Sequence, residues 1–201
     1  MRRESQVRFC EGRGVRFPSA TRPVLVFEHE DDARRVLEVL AKRLEKYGLR
    51  LHPDKTRMVE FCRPSKSKRG GSQRERSFAM LGFTHYWGRS RKGRWVVRRK
   101  TAKDRFSRAA RGIGQWCRRN RHRSLPEQHA ALSRKLRGHY AYYGITGNSP
   151  ALGRFRTEVH RLWRKWLGRR SWSGRMSWER LTRLLATYPL PKARVVHSVY
   201  R

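Results

Sequence analysis

Acidic residues are scarce in this chain of 201 residues. It carries 15 Asp and Glu against 51 Lys and Arg, which gives a formal net charge of +36. A chain with this imbalance repels itself unless it meets a polyanion, so a nucleic acid is the expected partner. A basic surface that is only solvated is the less expected alternative at a charge of this size.

Cysteine and long apolar runs are also scarce. The three cysteines, Cys10, Cys62 and Cys117, are odd in number and far apart, which argues against a disulfide framework and a zinc site. The histidines show no ligand spacing with cysteines or acids, so we predict no metal site. No apolar run has the length of a transmembrane span or a signal peptide. We therefore expect a cytoplasmic protein without a membrane partner.

Aromatic residues, in contrast, are well represented. The chain has seven Trp, seven Tyr and eight Phe, whereas disordered segments are poor in aromatics. We therefore expect a folded chain with a modest core.

The charge is distributed unevenly along the chain. Residues 1–75 hold 19 basic and 11 acidic residues, and residues 76–201 hold 32 basic and 4 acidic ones. Arg outnumbers Lys by 40 to 11. Arg binds phosphates bidentately and stacks on bases, which suits structured RNA as well as DNA. The nucleic-acid contact is expected mostly in the second part.

A short apolar run, Val24–Phe27, is a strand candidate, and it leads into four acids at positions 28, 30, 31 and 32. Strand-borne carboxylates can hold catalytic metal ions. However, apolar residues recur at three- and four-residue spacing through Asp31–Tyr47, which predicts a helix. Acids at a helix start are favoured by the helix dipole, so we interpret the cluster as the start of this helix rather than as a metal site.

The rest of the chain divides into a mixed part and a helical part. Up to about residue 100 we predict a strand near Thr56–Phe61 and a basic hairpin formed by Phe78–Tyr86 and Arg94–Arg99. Gly48 is expected to end the first helix. Beyond it, apolar spacing predicts helices over 102–121, 126–143, 151–167 and 177–187, and an irregular tail from residue 189.

Three segments resemble the closing half of group II intron reverse transcriptases, also called maturases. They are GLRLHPDKTRMVEF (48–61), AMLGFTHYWGRSRKGRWVVRRKT (79–101) and LRGHYAYYGITGN (136–148). They resemble, in this order, the end of the polymerase palm, the strand pair leading from palm to thumb, and the maturase-specific thumb, or X, domain. The resemblance covers about Val24 to the C-terminus.

The resemblance implies a fold and a domain division. The expected class is α+β, with a truncated palm remnant and basic β-hairpin followed by an all-α thumb/maturase helical bundle. Residues 1–23 would be an unmatched segment, 24–100 the palm remnant and hairpin, and 101–201 the maturase-specific domain. By resemblance, that domain binds the intron RNA and helps it fold for splicing.

The resemblance also implies that polymerase chemistry is lost. The family carries a Tyr-Ala-Asp-Asp motif, whose Asp pair holds Mg²⁺, just before the strand that Val24–Phe27 resembles. Here the corresponding positions, 17–23, read FPSATRP and contain no acid. We therefore expect no catalytic residue, metal or cofactor. Lys55 matches a lysine thought to protonate the leaving pyrophosphate, but a surface turn lysine is the favoured interpretation.

The candidate RNA-binding residues are basic side chains of the hairpin and the first two helices that follow it, together with two aromatic residues. For Trp95, stacking on RNA and packing on the sheet are equally expected, and for the tyrosines of 136–148 a core position is favoured. Trp163, Trp166 and Trp178 are core candidates, and Trp172 is the tryptophan most expected to touch RNA. The predicted set is Arg91, Lys92, Arg94, Trp95, Arg98, Arg99, Lys100, Arg105, Arg108, Arg137 and Tyr140.

The predicted function is that of a maturase fragment that binds intron RNA and assists its folding and splicing. DNA is a second partner class, and no small-molecule substrate is expected for this chain alone. One alternative is an enzyme: a piece of a split RNA-directed DNA polymerase whose missing parts come from another chain. The other is a decayed relic with only general nucleic-acid binding, which would collapse with salt and show no preference among RNAs.

Overall fold

The computed structural model of the chain describes residues 24–52, 56–64, 77–170 and 176–198. In these residues the protein is mixed α+β, as predicted, with five helices and three strands. Three of the helices are 17 to 19 residues long. The elements in chain order are α1 (Glu30–Glu45), β1 (Ser77–Met80), β2 (Phe83–Arg89), β3 (Trp95–Thr101), α2 (Lys103–Arg119), α3 (Leu125–Tyr143), α4 (Ser149–Leu167) and α5 (Trp178–Thr187).

The chain forms two compact units. Of the described residues, the first unit contains those up to Phe78 together with 85–97, and the second contains 79–84 and those from Arg98 onward. The strands form one antiparallel sheet in the order β1-β2-β3, and the division between the units falls within these strands.

The first unit contains α1. Three acids occupy the first turn of this helix and two basic residues its last turn, which matches the helix dipole at both ends. The predicted helix and the interpretation of Glu30, Asp31 and Asp32 as its start are therefore confirmed. The chain leaves the helix through Gly48, whose φ of +67° is the left-handed conformation that glycine adopts at little cost.

Aromatic packing forms part of the core of the first unit, together with Ala33 and Val59. Phe61 is buried, and its ring lies 4.8 Å from Phe78 in an edge-to-face arrangement and 5.3 Å from Trp87 in a stack. Two strand predictions are wrong here: Val24–Phe27 and Thr56–Phe61 are irregular, although Phe61 forms an isolated bridge. The second run buries Val59 and Phe61 without joining the three-stranded sheet, whereas no residue of Val24–Phe27 is fully buried.

The predicted strand Phe78–Tyr86 is in fact two strands joined by a two-residue turn. Leu81 and Gly82 both have positive φ, +49° and +79°, which suits the tight turns of antiparallel hairpins. The apolar run continues through this turn, and for that reason the sequence pattern does not show it. The second hairpin, β2–β3, is confirmed, and the Ser90 amide donates to the Arg94 carbonyl across its turn at 2.7 Å.

The second unit is a helical bundle whose core is shared by α2, α3 and α4, and α4 packs against both of the other two. Pro126 lies in the first turn of α3, and the Glu127 carboxylate accepts from the Ser124 amide at 3.2 Å, which caps that helix. All four predicted helices are present, with ends within two residues of those predicted. The buried core contains Ile113, Cys117, Leu132, Leu136, Tyr140, Leu152, Phe155, Val159, Trp163, Leu167 and Leu190.

A buried asparagine joins the end of β3 to the α3–α4 turn. Asn148 is 1% exposed. Its Oδ1 accepts from the Thr101 amide at 2.9 Å, and its Nδ2 donates to Thr101 Oγ1 at 2.9 Å and to the Tyr143 carbonyl at 2.8 Å. Because each polar atom of this buried amide is satisfied, it fixes the turn without leaving an unpaired group.

The described part of the tail, residues 189–198, is irregular, as predicted, apart from a single parallel bridge between Ile145 and His197. In the described ranges, no helix has the length and hydrophobicity needed to cross a membrane.

Candidate nucleic-acid interface

In the first unit, the predicted RNA-binding residues lie on the β2–β3 hairpin. Arg91, Lys92 and Arg94 are exposed on its turn. Trp95 is half-buried, and the guanidinium carbon of Arg89 lies 4.9 Å from its ring centroid. Arg89 also donates to the Gly93 carbonyl at 3.3 Å, which ties it across the turn. One hairpin therefore displays a cluster of cations beside an aromatic ring that is partly open to solvent.

In the second unit, the predicted cations lie on three elements. Arg98 and Lys100 are exposed and Arg99 is half-buried along β3. On α2, Arg108 is exposed, whereas Arg105 is half-buried with its Nε 3.4 Å from Asp104. Arg137 is exposed on α3. Apart from the partly neutralised Arg105, these side chains are placed where they can meet phosphates.

Tyr140 is not part of an exposed surface, which corrects its place in the predicted set. Its side chain is 2% exposed, and its hydroxyl donates to the Pro191 carbonyl at 3.4 Å. Burial raises the pKa of the Tyr140 phenol to about 12, so the hydroxyl stays protonated and able to donate. The favoured interpretation of this tyrosine as a core residue was the better one.

Not all of the tryptophans predicted to lie in the core are buried. Trp163 is fully buried, as predicted, and its Nε1 donates to the Gln128 Oε1 at 2.9 Å. Trp178, however, is 48% exposed and Trp166 is half-buried, so neither is a simple core residue. Trp172 and Lys55 lie outside the described residues, as do positions 17–23.

A concentration of charge and aromatic surface surrounds Trp166, near the end of α4. Three cationic groups lie close to its ring centroid: the Arg169 guanidinium at 5.1 Å, the Lys165 ammonium at 5.6 Å and the Arg118 guanidinium at 6.0 Å. Arg118 comes from α2, so the packing of α2 on α4 brings it to Trp166.

Trp166 borders two concave surfaces within the second unit. One is a cleft of about 470 Å³, lined by Trp166, Arg118, Arg121 and Arg169, which we call the Trp166 cleft. The other, of about 320 Å³, lies between α2 and α4 and includes Arg111, Lys165 and Glu158 in its lining. Glu158 is directed partly to Arg161, 3.6 Å away. The Trp166 cleft therefore presents three Arg side chains and an indole with no acid in its lining.

The wall of the Trp166 cleft that carries Arg121 is held from inside the bundle. Gln128 is 1% exposed, and its Nε2 donates to the carbonyls of Asn120, Arg121 and Arg123 at 3.0, 3.1 and 2.9 Å. Arg170 donates to the carbonyls of Arg121 and Arg123 as well. The α2–α3 turn is therefore fixed in shape, and the Arg121 side chain is displayed from a rigid backbone.

Sequence reasoning missed this cluster because two of its members are brought together only by helix packing. Trp166 and Arg169 are three residues apart, so their proximity could be expected from the sequence. Nothing in the sequence placed Arg118 and Arg121 beside them. Acids are few in residues 76–201, 4 against 32 basic residues. In the described ranges, Asp104–Arg105 and Glu158–Arg161 are ion pairs of this part of the chain. The acids of this part of the chain are thus too few to neutralise most of its cations.

Among the residues that the structure describes, no group of three or more His, Cys, Asp and Glu side chains lies together as a metal-binding cluster. Comparisons of the chain with protein-family models, with curated proteins and with solved structures found no match.

Proposed function

We propose that this chain binds structured RNA, and that it acts as a maturase that assists the folding and splicing of a group II intron RNA without polymerase activity of its own. The single observation that carries the RNA-binding proposal is the Trp166 cleft, where three Arg side chains and an indole converge with no acid in the lining. Convergent like charges are unfavourable alone and become favourable when a phosphate enters between them.

Arginine in this setting suits RNA. Its planar fork binds phosphate oxygens bidentately and stacks on bases, and unstacked bases are more available in folded RNA than in duplex DNA. DNA remains a second partner class, because backbone phosphates are common to both.

The choice of a group II intron as the particular RNA rests on the resemblance of three segments of the chain to group II intron maturases. Support comes from contacts between those parts of two segments that lie in the second unit. Segments 79–101 and 136–148 are joined by the bond from the Tyr142 hydroxyl to the Leu81 carbonyl at 2.9 Å, and by the bonds between Thr101 and Asn148. The ends of these two segments that lie in the second unit are thus joined by hydrogen bonds.

Binding of a folded group II intron RNA across a salt series tests the RNA-binding part of the proposal. The informative variant is Arg118→Gln with Arg169→Gln, and the matched control is Arg35→Gln with Arg43→Gln, two exposed cations of α1. Each phosphate contact contributes roughly 0.7–0.9 to the slope of log K against log salt. We therefore expect the cleft variant to lower that slope by about 1.5 and the affinity by about ten-fold.

The control variant removes the same charge from a helix that starts with three acids, so its affinity should stay within about two-fold of the unmodified chain. Equal losses for the two variants would mean that net charge alone determines binding. The chain would then be a general nucleic-acid binder without a defined RNA-binding surface. Primer extension by this chain with a partner chain would favour the split-polymerase alternative.

A further inference from the structure

Trp166 has a surface that the bundle does not use. The indole packs partly against the core, yet it stays half-exposed and forms one wall of the 470 Å³ Trp166 cleft. A volume of this size lies in the range of small-ligand sites. An indole that lines a cleft offers a flat face on which another ring can stack.

The cations around the cleft are arranged for an anion attached to such a ring. Arg118 and Arg169 are both exposed and approach the indole from two different elements, α2 and the segment after α4. Arg121 completes the lining of the cleft. Its Nη1 donates to the backbone carbonyl of Arg118 at 3.2 Å, which holds the Arg121 side chain close to Arg118. A group that carries an aromatic ring and a phosphate would satisfy the indole and the guanidinium groups together.

We propose that the Trp166 cleft binds one unpaired nucleotide of the RNA, with its base stacked on the indole of Trp166 and its phosphate held by Arg118, Arg121 and Arg169. This inference rests on the proposed RNA-binding function and specifies one of its subsites. The guanidinium groups that now lie near the ring give up an exposed cation–π contact, which is the weaker interaction, and gain a charge-assisted bond to phosphate. Stacking of a base on the indole is the stronger aromatic contact.

A paired nucleotide does not fit this arrangement. In an RNA helix the base is stacked on both sides by its neighbours, and only the backbone and the shallow groove are accessible to protein. The cleft therefore selects bulged, looped or terminal nucleotides, whereas the remaining exposed cations of the unit bind phosphates of paired and unpaired RNA alike.

The test compares two RNA hairpins that differ by one unpaired 2-aminopurine nucleotide, bound to the full chain. We expect the bulged hairpin to bind about ten-fold more tightly than the fully paired one, and its fluorescence to be quenched on binding because the base stacks on an indole. Trp166→Leu keeps an apolar side chain against the core and removes the aromatic face. It should abolish both the preference and the quenching, and leave the affinity for the paired hairpin within about two-fold.

Two further variants make the result specific. Trp166→Phe retains a smaller ring and should keep part of the preference. Trp178→Leu removes another exposed tryptophan, whose ring lies 4.2 Å from the Arg164 guanidinium, and should change neither readout. Thermal unfolding of each variant shows whether its fold is retained. If Trp166→Leu does not fold, 4-thiouridine at the unpaired position of the bulged hairpin is crosslinked to the unmodified chain instead. A crosslink on the end of α4 supports the proposal, and one confined to the β2–β3 hairpin overturns it.

The outcomes separate this inference from the proposed function. Equal binding of the two hairpins, with no effect of Trp166→Leu, overturns the nucleotide subsite and leaves RNA binding in place. Failure of both hairpins and of folded intron RNA to bind overturns the proposed function itself. Displacement of the bulged hairpin by a phosphate-free acidic peptide, in a manner that depends on Trp166, would assign the cleft to a protein partner and also overturn the inference.

Discussion

Gln128 is the residue whose replacement tests the packing of the helical unit most sharply. It is a polar side chain that is only 1% exposed, on a helix that packs against α4. Its carboxamide oxygen accepts from the buried Trp163 indole, and its two N–H groups are shared among three carbonyls of the α2–α3 turn. One amide therefore satisfies the largest buried side chain of the core and also sets the shape of a loop.

The cost of Gln128→Leu follows from which groups lose their partner. The Trp163 N–H lies beside a fully buried ring and has no replacement, which costs about 1–3 kcal/mol. The carbonyls of Arg121 and Arg123 keep their bonds from Arg170, and the Asn120 carbonyl keeps the bond from the Arg123 amide, so their loss is smaller, about 1 kcal/mol together. We therefore expect the free energy of unfolding to fall by about 3 kcal/mol.

Urea denaturation followed by circular dichroism measures this loss, with equal slopes against urea as the condition for comparing variants. Gln115→Leu is the matched control, because Gln115 is exposed on α2 and its replacement should change stability by less than about 0.5 kcal/mol. A loss for Gln128→Leu no larger than that of the control would mean that the four hydrogen bonds of Gln128 contribute nothing net to stability.

Further predictions concern a turn, two histidines and the corrected tyrosine. Gly82→Ala should lower the free energy of unfolding by about 1–2 kcal/mol, because φ is +79° and the new Cβ would lie 3.0 Å from the Tyr143 hydroxyl. Burial lowers the pKa values of His139 and His160 to about 4 from 6.5, so the unfolded state binds more protons between these values. The free energy of unfolding should therefore fall, by about 2 kcal/mol per histidine, as the pH decreases from 6.5 to 4. Tyr140→Phe should leave RNA affinity within about two-fold of the unmodified chain, because the ring is buried.

Each of these has its own control. Gly147 also has a left-handed backbone, with φ of +88°, but an added Cβ would have no atom within 4 Å. Gly147→Ala should therefore lower the free energy of unfolding by less than Gly82→Ala in the same urea assay. His139→Phe keeps a ring 3.8 Å from Phe155 and should flatten part of the pH dependence. An unchanged slope in that variant would contradict the assignment to this histidine. A ten-fold loss of RNA affinity in Tyr140→Phe with unchanged stability would return Tyr140 to the interface.

Helices in which apolar residues recur regularly over many residues were predictable from the sequence. The helices α1 to α5 follow three- and four-residue spacing, and Gly48, Pro126 and the acids in the first turn of α1 mark ends that depend on local chemistry. The irregular structure of Val24–Phe27 and Thr56–Phe61 was not predictable, because a pattern of only four to six residues does not decide whether the segment pairs in a sheet.

The candidate site was less predictable than the fold. Arg137 and the hairpin cations other than the half-buried Arg99 are exposed, as local sequence suggested, but Tyr140 was misplaced because two faces of α3 both carry aromatic residues. The Trp166 cleft joins α2 to α4 across 45 or more residues of sequence, and Gln128 reaches Trp163 35 residues away. Such contacts depend on how helices pack, which neither spacing nor propensity encodes.

Competition binding distinguishes recognition of a group II intron RNA from binding through charge alone. The purified chain is bound to a folded group II intron RNA at about physiological salt, where weak polyelectrolyte contacts are screened, in the presence of a large excess of unrelated structured RNA. We predict that the intron complex persists and that its salt dependence is weaker than that of the unrelated RNA. Loss of intron binding in parallel with all other RNAs would contradict the account and leave a chain that binds nucleic acid only through its charge.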